Sequence, residues 1–345
     1  MTKKIHIAKK QSFHFNIPKS KPKIAYFILA HRFPKQFRRL FKTIYHPGNH
    51  YLIHIDQESD ASTKKGIKTF LEDYSNAYIL RSENVVCGGY SRVQSEINGM
   101  KYLLKRCLKW DFFINLSDQD FPLKSNNFIF DFLGKNIGKN FMKIANQIRD
   151  RPDTMNRIEN YFHETDIGFS GIPYQRSFMK NVTPYIGGQW MILTRTCCEF
   201  ICYNPEVKKF EDFYHNIWLA DESFFQTVLM NTSFKETIVN DDKRAIIWMS
   251  DEGMKLKPKT LTGSDIDFLM QGDNLFAREF DENIDVLVLD FLEESIKADP
   301  ILNNAINIDF NLIPTHNMDT KKSVVLSPET IINPPTQLRK LNGNK

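Results

Sequence analysis

Asp221 and Glu222 stand side by side ahead of Ser223-Phe224-Phe225, where an apolar helical stretch begins that runs to Met230. A second pair of carboxylates, Asp118 and Asp120, closes the hydrophobic run Phe112–Leu116 just before Phe121-Pro122. Between the two pairs lies a glycine-led aromatic segment, Gly187-Gly188-Gln189-Trp190. Carboxylates at strand ends and helix starts around an aromatic floor suit sugar chemistry. One can take a proton from a hydroxyl while the others grip hydroxyls. Glu222 is the candidate base. A Glu at a helix start is also favoured by the helix dipole, so a capping role is the other reading of the same residue. Trp190 likewise reads either as a platform for the apolar face of a sugar or as a core residue.

Asp118-Gln119-Asp120 is a D-x-D, a pair that can hold a hard divalent cation bridging phosphates. The motif is short, and any loop can contain it. Without a metal, the charge of a departing phosphate needs a basic side chain, and Arg278 in Leu275-Phe276-Ala277-Arg278-Glu279-Phe280-Asp281 is the candidate. The 9 histidines show no metal-binding helix motif. No phosphate-cradling P-loop, no dinucleotide fingerprint and no nucleophile elbow occurs. Those absences argue against a P-loop nucleotidase, a dinucleotide dehydrogenase and an α/β-hydrolase.

The elements that must position these residues follow from hydrophobic periodicity. Lys23 to Ala30 is a continuous apolar run of strand length. Residues 36–45 carry Phe37, Leu40, Phe41 and Ile44 at helical spacing. Pro47-Gly48-Asn49 is a turn, and Tyr51 to Ile55 a second strand ending at Asp56. Strand, helix, strand in this span is a βαβ unit, which builds parallel sheets. The alternation continues with a helix over 64–74, a strand over 77–80, a helix over 91–107 and a strand over 111–116. The fold class expected is α/β with a mostly parallel central sheet flanked by helices. In such sheets ligands sit beyond the carboxyl ends of the strands, where His31, Asp56, Asp118 and Asp120 fall. From 126 to 185 the pattern degrades into what reads as irregular, loop-rich structure facing an acceptor. Regularity returns at Trp190–Leu193, 196–203 and 222–230. Residues 1–22 read as a basic tail, 23–295 as one domain, and 296–345 as a peripheral extension rich in proline near its end.

Composition bounds the rest. The chain has 345 residues, 41 % hydrophobic and 25 % charged, which is ordinary for a globular protein. A net charge of +5 is mild, suits an anionic nucleotide substrate as well as a solvated surface, and does not mark a nucleic-acid binder. The 5 cysteines (87, 107, 197, 198 and 202) lack metal-ligand spacing and point to a reducing compartment. No apolar stretch reaches the roughly 18 residues of a membrane span, and no secretory signal follows Met1. Membrane contact is expected to be peripheral at most.

Several segments together resemble glycosyltransferase family 14, which holds the core 2/I-branching β-1,6-N-acetylglucosaminyltransferases and the peptide O-xylosyltransferases. In family order they are Ile24-Ala25-Tyr26 with His31, His54-Ile55-Asp56, Val85-Val86 to Gly88-Gly89-Tyr90-Ser91-Arg92-Val93-Gln94, and Phe113-Ile114-Asn115-Leu116-Ser117 to Asp120-Phe121-Pro122-Leu123-Lys124. Gly188-Gln189-Trp190, Asp221-Glu222-Ser223-Phe224-Phe225 with Thr227, and Leu275-Phe276-Ala277-Arg278 with Phe280-Asp281 complete the set. The resemblance implies a variant GT-A fold, a UDP-sugar donor, inversion, and Glu222 as the catalytic base. It implies a nucleotide contact from Asp56 and a sugar site lined by Asp120 and Trp190.

The family works without a metal, so no cofactor is expected. Manganese or magnesium on Asp118 and Asp120 is the fallback. Two departures stand out: Glu279 where the family usually has a phosphate-binding Lys, and Asp118 where it usually has a small residue. Glu279 is therefore expected to turn away, leaving Arg278 and a lysine of the 255–259 segment, Lys257 foremost, to hold the phosphates. His31 joins the donor side; Gln189 and Asp221 join the sugar and acceptor side. Most eukaryotic relatives carry an amino-terminal anchor and many disulfides, so the expectation here is a bacterial-type cytoplasmic enzyme, with at most peripheral contact to the inner face of the membrane, building a surface polysaccharide or glycoconjugate. The sugar expected is GlcNAc, with xylose next, and the acceptor a saccharide or glycoconjugate. The rival reading is a degenerate member that binds glycans or nucleotides without turnover.

Overall fold

The computed structural model describes residues 21–298 except 82–84, 87, 167 and 251–255, with the side chains of 170–173, 250 and 256 also left aside. The expected tail over 1–22 and extension over 296–345 lie almost wholly outside the described residues, as do Cys87 and Lys255. Strands β1 (Ile24–Ala30), β2 (His50–Ile55), β3 (Ala77–Leu80) and β4 (Phe112–Ser117) alternate with helices α1 (Pro34–Ile44), α2 (Ala61–Leu71) and α3 (Tyr90–Arg106). β5 (Asp120–Pro122), α4 (Asn126–Lys135), β6 (Asn140–Met142), β7 (Ala145–Asn146), α5 (Gln147–Asp150) and α6 (Met155–Ile158) lead to a hairpin of β8 (Asn160–Thr165) and β9 (Gly168–Gln175). Then come β10 (Tyr185–Ile186), β11 (Met191–Thr194), α7 (Arg195–Tyr203), α8 (Lys208–Tyr214), α9 (Phe224–Met230), β12 (Ile238–Asn240) and β13 (Arg244–Ile246). β14 (Trp248–Ser250), β15 (Leu256–Pro258), α10 (Ile266–Met270), β16 (Phe276–Arg278) and α11 (Leu287–Lys297) finish the described chain.

The main sheet has the order β12-β6-β11-β4-β1-β2-β3. β1 pairs in parallel with both β2 and β4, β2 with β3, and β12 with β6; β11 alone runs against its two neighbours. The α/β class and the mostly parallel sheet are as expected. Two hydrophobic layers cover the sheet. Ile24, Tyr26, Ile28 and Ala30 face one layer with Phe37, Leu40 and Phe41 of α1; Ala25 and Phe27 face the other with Val93, Ile97 and Met100 of α3. Burial on both faces is why β1 reads as an unbroken apolar run, since successive side chains point to opposite sides.

One expectation fails. The stretch 126–185 is not loop-rich throughout: it holds α4, the sheet strand β6 and the β8–β9 hairpin. β6 is three residues long and buried, too short to show a period of two, and its neighbours β11 and β12 come from far downstream. Among the described residues no helix is long and apolar enough to cross a membrane.

Candidate active site

The carboxyl ends of β1, β2 and β4 converge as the parallel topology requires. His31, just past β1, sets Nδ1 3.3 Å from Asp56 Oδ2 at the end of β2. The neighbouring strand end supplies Asp118, which is 4 % exposed and whose Oδ2 accepts from the amides of His31, Arg32 and Phe33 at 2.7, 2.9 and 3.2 Å. Burial pushes the Asp118 carboxyl up, and these amides oppose the shift. Asp118 is thus the clamp on the β1–α1 loop that carries His31. Asp120 faces elsewhere: its Oδ2 accepts from Ser117 N and from Ser117 Oγ at 2.8 Å, and its Oδ1 is buried without a partner. The D-x-D therefore does not present a matched pair of ligands, and no group of three or more potential metal-binding side chains forms among the described residues. Alternation explains it, because residues two apart on one strand share a face only while the strand continues, and here the chain turns between β4 and β5.

Asp120 opens β5, which pairs with β16 so that Asp120 lies opposite Arg278. β16 also pairs with β13, which brings Arg244 alongside. Trp190 sits against both arginines. The Arg278 guanidinium lies 4.2 Å from the ring centroid and that of Arg244 5.8 Å. Trp190 is 4 % exposed, so it offers no open platform to a sugar; it seats Arg278, a favourable use of its electron-rich face. Arg244 donates Nη2 to Asn115 O at 2.8 Å, while Nε and Nη1 are buried and unpartnered; Arg278 Nε is unpartnered too. Burial holds the Arg244 pKa down, against the charges of Asp120 and Asp242.

Glu279, expected to turn away from the phosphates, instead lies on the arginine expected to hold them, its Oε2 3.3 Å from Arg278 Nη2. The lysines expected to help are placed differently. Lys259 is bound to Asp265, Lys257 lies on the β14–β15 hairpin and already has a partner, and Lys255 is outside the described residues. Gln189 contributes its carbonyl, which accepts from Asn115 Nδ2 at 2.8 Å.

Asp221 and Glu222 lie in a single tight turn, Ala220–Glu222, one residue ahead of the α9 helix expected to begin at 222. Leu219 enters that turn with φ 54° and ψ 47°, a left-handed conformation costing a side chain about 1–2 kcal/mol, and its amide is held by Gly88 O at 2.7 Å. Glu222 O accepts from Gly187 N at 2.8 Å, tying the turn to the Trp190 segment. A side chain at Gly187 would put its Cβ 1.9 Å from Lys143 O, so only glycine fits that approach. Glu222 Oε2 lies 2.6 Å from Arg157 Nη1, and Arg157 in turn rests over Trp218 at 5.6 Å. Burial raises the Glu222 pKa, and the charges of Arg157 and Arg151 moderate it. Asp221 is 6 % exposed, its Oδ2 3.4 Å from Arg92 Nε and its Oδ1 unpartnered.

Sequence reasoning singled out neither Arg157 nor Arg244. Arg244 carried a usable signal, since Asp242-Lys243-Arg244 is a charged triplet leading into an apolar strand. Arg157 carried none, because its partner lies 65 positions away.

Residues 24–269 match the model of the family described as Core-2/I-Branching enzyme. Xylosyltransferase 2 of Homo sapiens is 31 % identical over 289 residues, covering 79 % of this chain and 33 % of that protein. Xylosyltransferase of Ciona intestinalis is 29 % identical over 293 residues, covering 80 % and 34 %. The chain thus spans about a third of the length of the curated relatives it matches. Among solved structures, mouse xyloside xylosyltransferase 1 in its apo form has 12 % identity and a TM-score of 0.37, covering 74 % of this chain and 97 % of that one. A likeness at that level carries no argument about this chain.

Proposed function

The chain belongs to the Core-2/I-Branching enzyme family, and on that premise we propose that it is an inverting glycosyltransferase. It moves a sugar from a UDP-sugar to a hydroxyl of a saccharide or glycoconjugate. The observation that carries this reading is a set of buried, unpartnered charged atoms, with Arg244 Nε and Nη1 and Arg278 Nε on the two arginines against Trp190, Asp120 Oδ1 opposite Arg278, and Asp221 Oδ1 in the turn that holds the candidate base. Buried polar groups in a folded protein are normally satisfied. A cluster of spare acceptors and charged donors is what a polyhydroxylated, phosphate-bearing ligand would satisfy.

In this reading Glu222 takes the proton of the acceptor hydroxyl. The freed oxygen lone pair attacks the anomeric carbon from the face opposite the phosphate. The carbon–phosphate oxygen bond breaks, its electron pair leaves with UDP, and the anomeric centre inverts. A raised Glu222 pKa makes the carboxylate a better base near neutrality. Arg278, seated on Trp190, with Arg244 beside it, meets the diphosphate charge in place of a metal ion. His31 and Asp56 bind the nucleoside at the far strand ends. The names of the curated relatives favour xylose over GlcNAc as the sugar.

The test is a panel of UDP-sugars, UDP-xylose and UDP-GlcNAc first, scored for thermal protection and UDP release. Glu222→Gln should cut turnover by about 10²–10⁴-fold and leave UDP binding intact. Near-normal turnover in that variant would remove Glu222 from the role. UDP binding with no release from any donor would instead support a binding protein.

A further inference from the structure

Behind the candidate base, two buried carboxylates compete for one guanidinium. Arg92 and Glu96 stand one turn apart on α3, and Asp221 reaches Arg92 from the other side. Glu96 is 3 % exposed. Acidic side chains are rarely buried that fully, and a methylene-bearing apolar residue would fill the space at lower desolvation cost. Its Oε1 accepts from Asn115 Nδ2 at 2.9 Å, and its Oε2 is without a partner. Asn115 brackets the floor of the site: Nδ2 also donates to Gln189 O at 2.8 Å, and Oδ1 accepts from Met191 N at 2.9 Å. Trp190 lies between those two anchored residues.

We propose that Glu96 is a positioning residue: through Asn115 it fixes the Gln189–Met191 segment that carries Trp190, and by leaving Arg92 to Asp221 it fixes the turn that presents Glu222. The inference rests on Glu222 being the base, and it concerns a side chain that touches neither sugar nor base.

One guanidinium cannot neutralise two buried carboxylates. Burial pushes the Glu96 carboxyl up to about 8; the hydrogen bond from Asn115 and the charge of Arg92 oppose this, and Asp221 adds to it. Those are the groups facing it from its own helix, from β4 and from the Ala220–Glu222 turn. Below pH 8 Glu96 is neutral and Arg92 belongs to Asp221. Above it a second negative charge divides Arg92 between two acids. Transfer should then carry an alkaline limb near pH 8, set by a residue outside the substrate's reach. Linkage gives a second consequence. The folded state keeps a proton that the unfolded chain releases at the ordinary glutamate pKa of about 4.3. Glu96 therefore lowers stability progressively as pH rises from there towards 8.

The experiment compares the full chain with Glu96→Gln, Glu96→Ala and Trp190→Phe. It reads the pH profile of transfer, the pH dependence of denaturant stability, and the part of the tryptophan fluorescence that Trp190→Phe removes. The parent should show an alkaline limb and a Trp190 fluorescence transition near pH 8, both absent from Glu96→Gln, which keeps the hydrogen-bonding shape and turns over like the parent at neutral pH. Glu96→Ala should lose about tenfold to a hundredfold in kcat at every pH, with KM little changed, the scale of a small misplacement. Transitions that persist in Glu96→Gln, or that the parent lacks, would overturn the proposal, as would an unimpaired Glu96→Ala. Fluorescence and stability read Glu96 even if no donor is turned over, so failure of the glycosyltransferase reading would show separately.

Discussion

Glu222 can act as a base only while ionised, and Arg157 is the group that keeps it so. Arg157 Nη1 lies 2.6 Å from Glu222 Oε2, and its charge is the largest influence opposing burial. Burial still wins, so the folded pKa stands above the ordinary value for glutamate, about 4.3. Turnover should therefore fall as pH drops through a point above that value. Arg157→Gln keeps a hydrogen-bond donor and removes the charge. Charge centres about 4 Å apart interact by about 4 kcal/mol at an effective dielectric of 20 and by about 1 kcal/mol in water. The Glu222 side chain is 33 % exposed and that of Arg157 20 %, so solvent discounts the larger figure. An intermediate value of about 1–2 kcal/mol corresponds to about one pH unit. The acid limb of kcat/KM should move up by about one unit in Arg157→Gln. At higher pH Glu222 is ionised in both proteins, and turnover should stay within about tenfold of the parent. An unmoved acid limb, with Glu222→Gln still inactive, would refute the electrostatic argument. Loss at every pH as deep as in Glu222→Gln would refute it too, and would assign Arg157 to substrate binding.

Asp118→Ala should strip the β1–α1 loop of the acceptor for three amides and lower stability by about 3 kcal/mol in denaturant titration, since each unsatisfied buried donor costs about 1–3 kcal/mol and His31 can recruit water. Gly187→Ala should destabilise by about 1–3 kcal/mol or more, because its Cβ would meet Lys143 O at 1.9 Å, and it should lower turnover beyond the stability loss through the Gly187 N to Glu222 O bond; a neutral effect on both would contradict the packing described. Arg278→Ala should weaken UDP binding by about 1.5–3 kcal/mol, the scale of a charge-assisted hydrogen bond, measured by calorimetry. EDTA should leave UDP affinity and turnover unchanged, and a loss that manganese restores would return Asp118 and Asp120 to the role of ligands.

The first half of the sheet was legible because its signals are local. β1, α1 and β2 each show their period within one window, and a parallel order follows from their alternation. β6 was not, because three buried residues carry no period and its sheet partners are supplied by residues 191–192 and 238–240. The site divides the same way. Asp56, Asp120 and Glu222 were visible because they end or begin an element. Their cations were not, since Arg157 reaches Glu222 across 65 positions and Arg244 reaches Asn115 across 129. Even Asp118 and Asp120, two residues apart, have opposite duties that spacing alone could not separate. Asp118 spends its carboxylate on backbone amides, whereas Asp120 keeps Oδ1 free.

That division is the physical basis for telling site from scaffold here. Some buried charges in this protein are committed, Asp118 to three amides and Lys243 to Asp241 and Asp273, and half-buried Glu164 is likewise held by the amides of Tyr90 and Ser91 at the start of α3. Leaving such groups unmet costs stability, so a concentration of spare charged atoms in one place points to a ligand that would meet them. Spare acceptors on Asp120 and Asp221 and spare donors on Arg244 and Arg278 surround Trp190 and the Ala220–Glu222 turn. They come from β4–β5, β13, β16 and the turn before α9, which only the closed fold brings together. A ligand that donates to carboxylates and accepts from guanidinium groups would discharge both sets at once. A sugar joined to a phosphate has that pattern of hydroxyls and anionic oxygens, which is why the unpaired atoms carry more of the functional argument than any one motif.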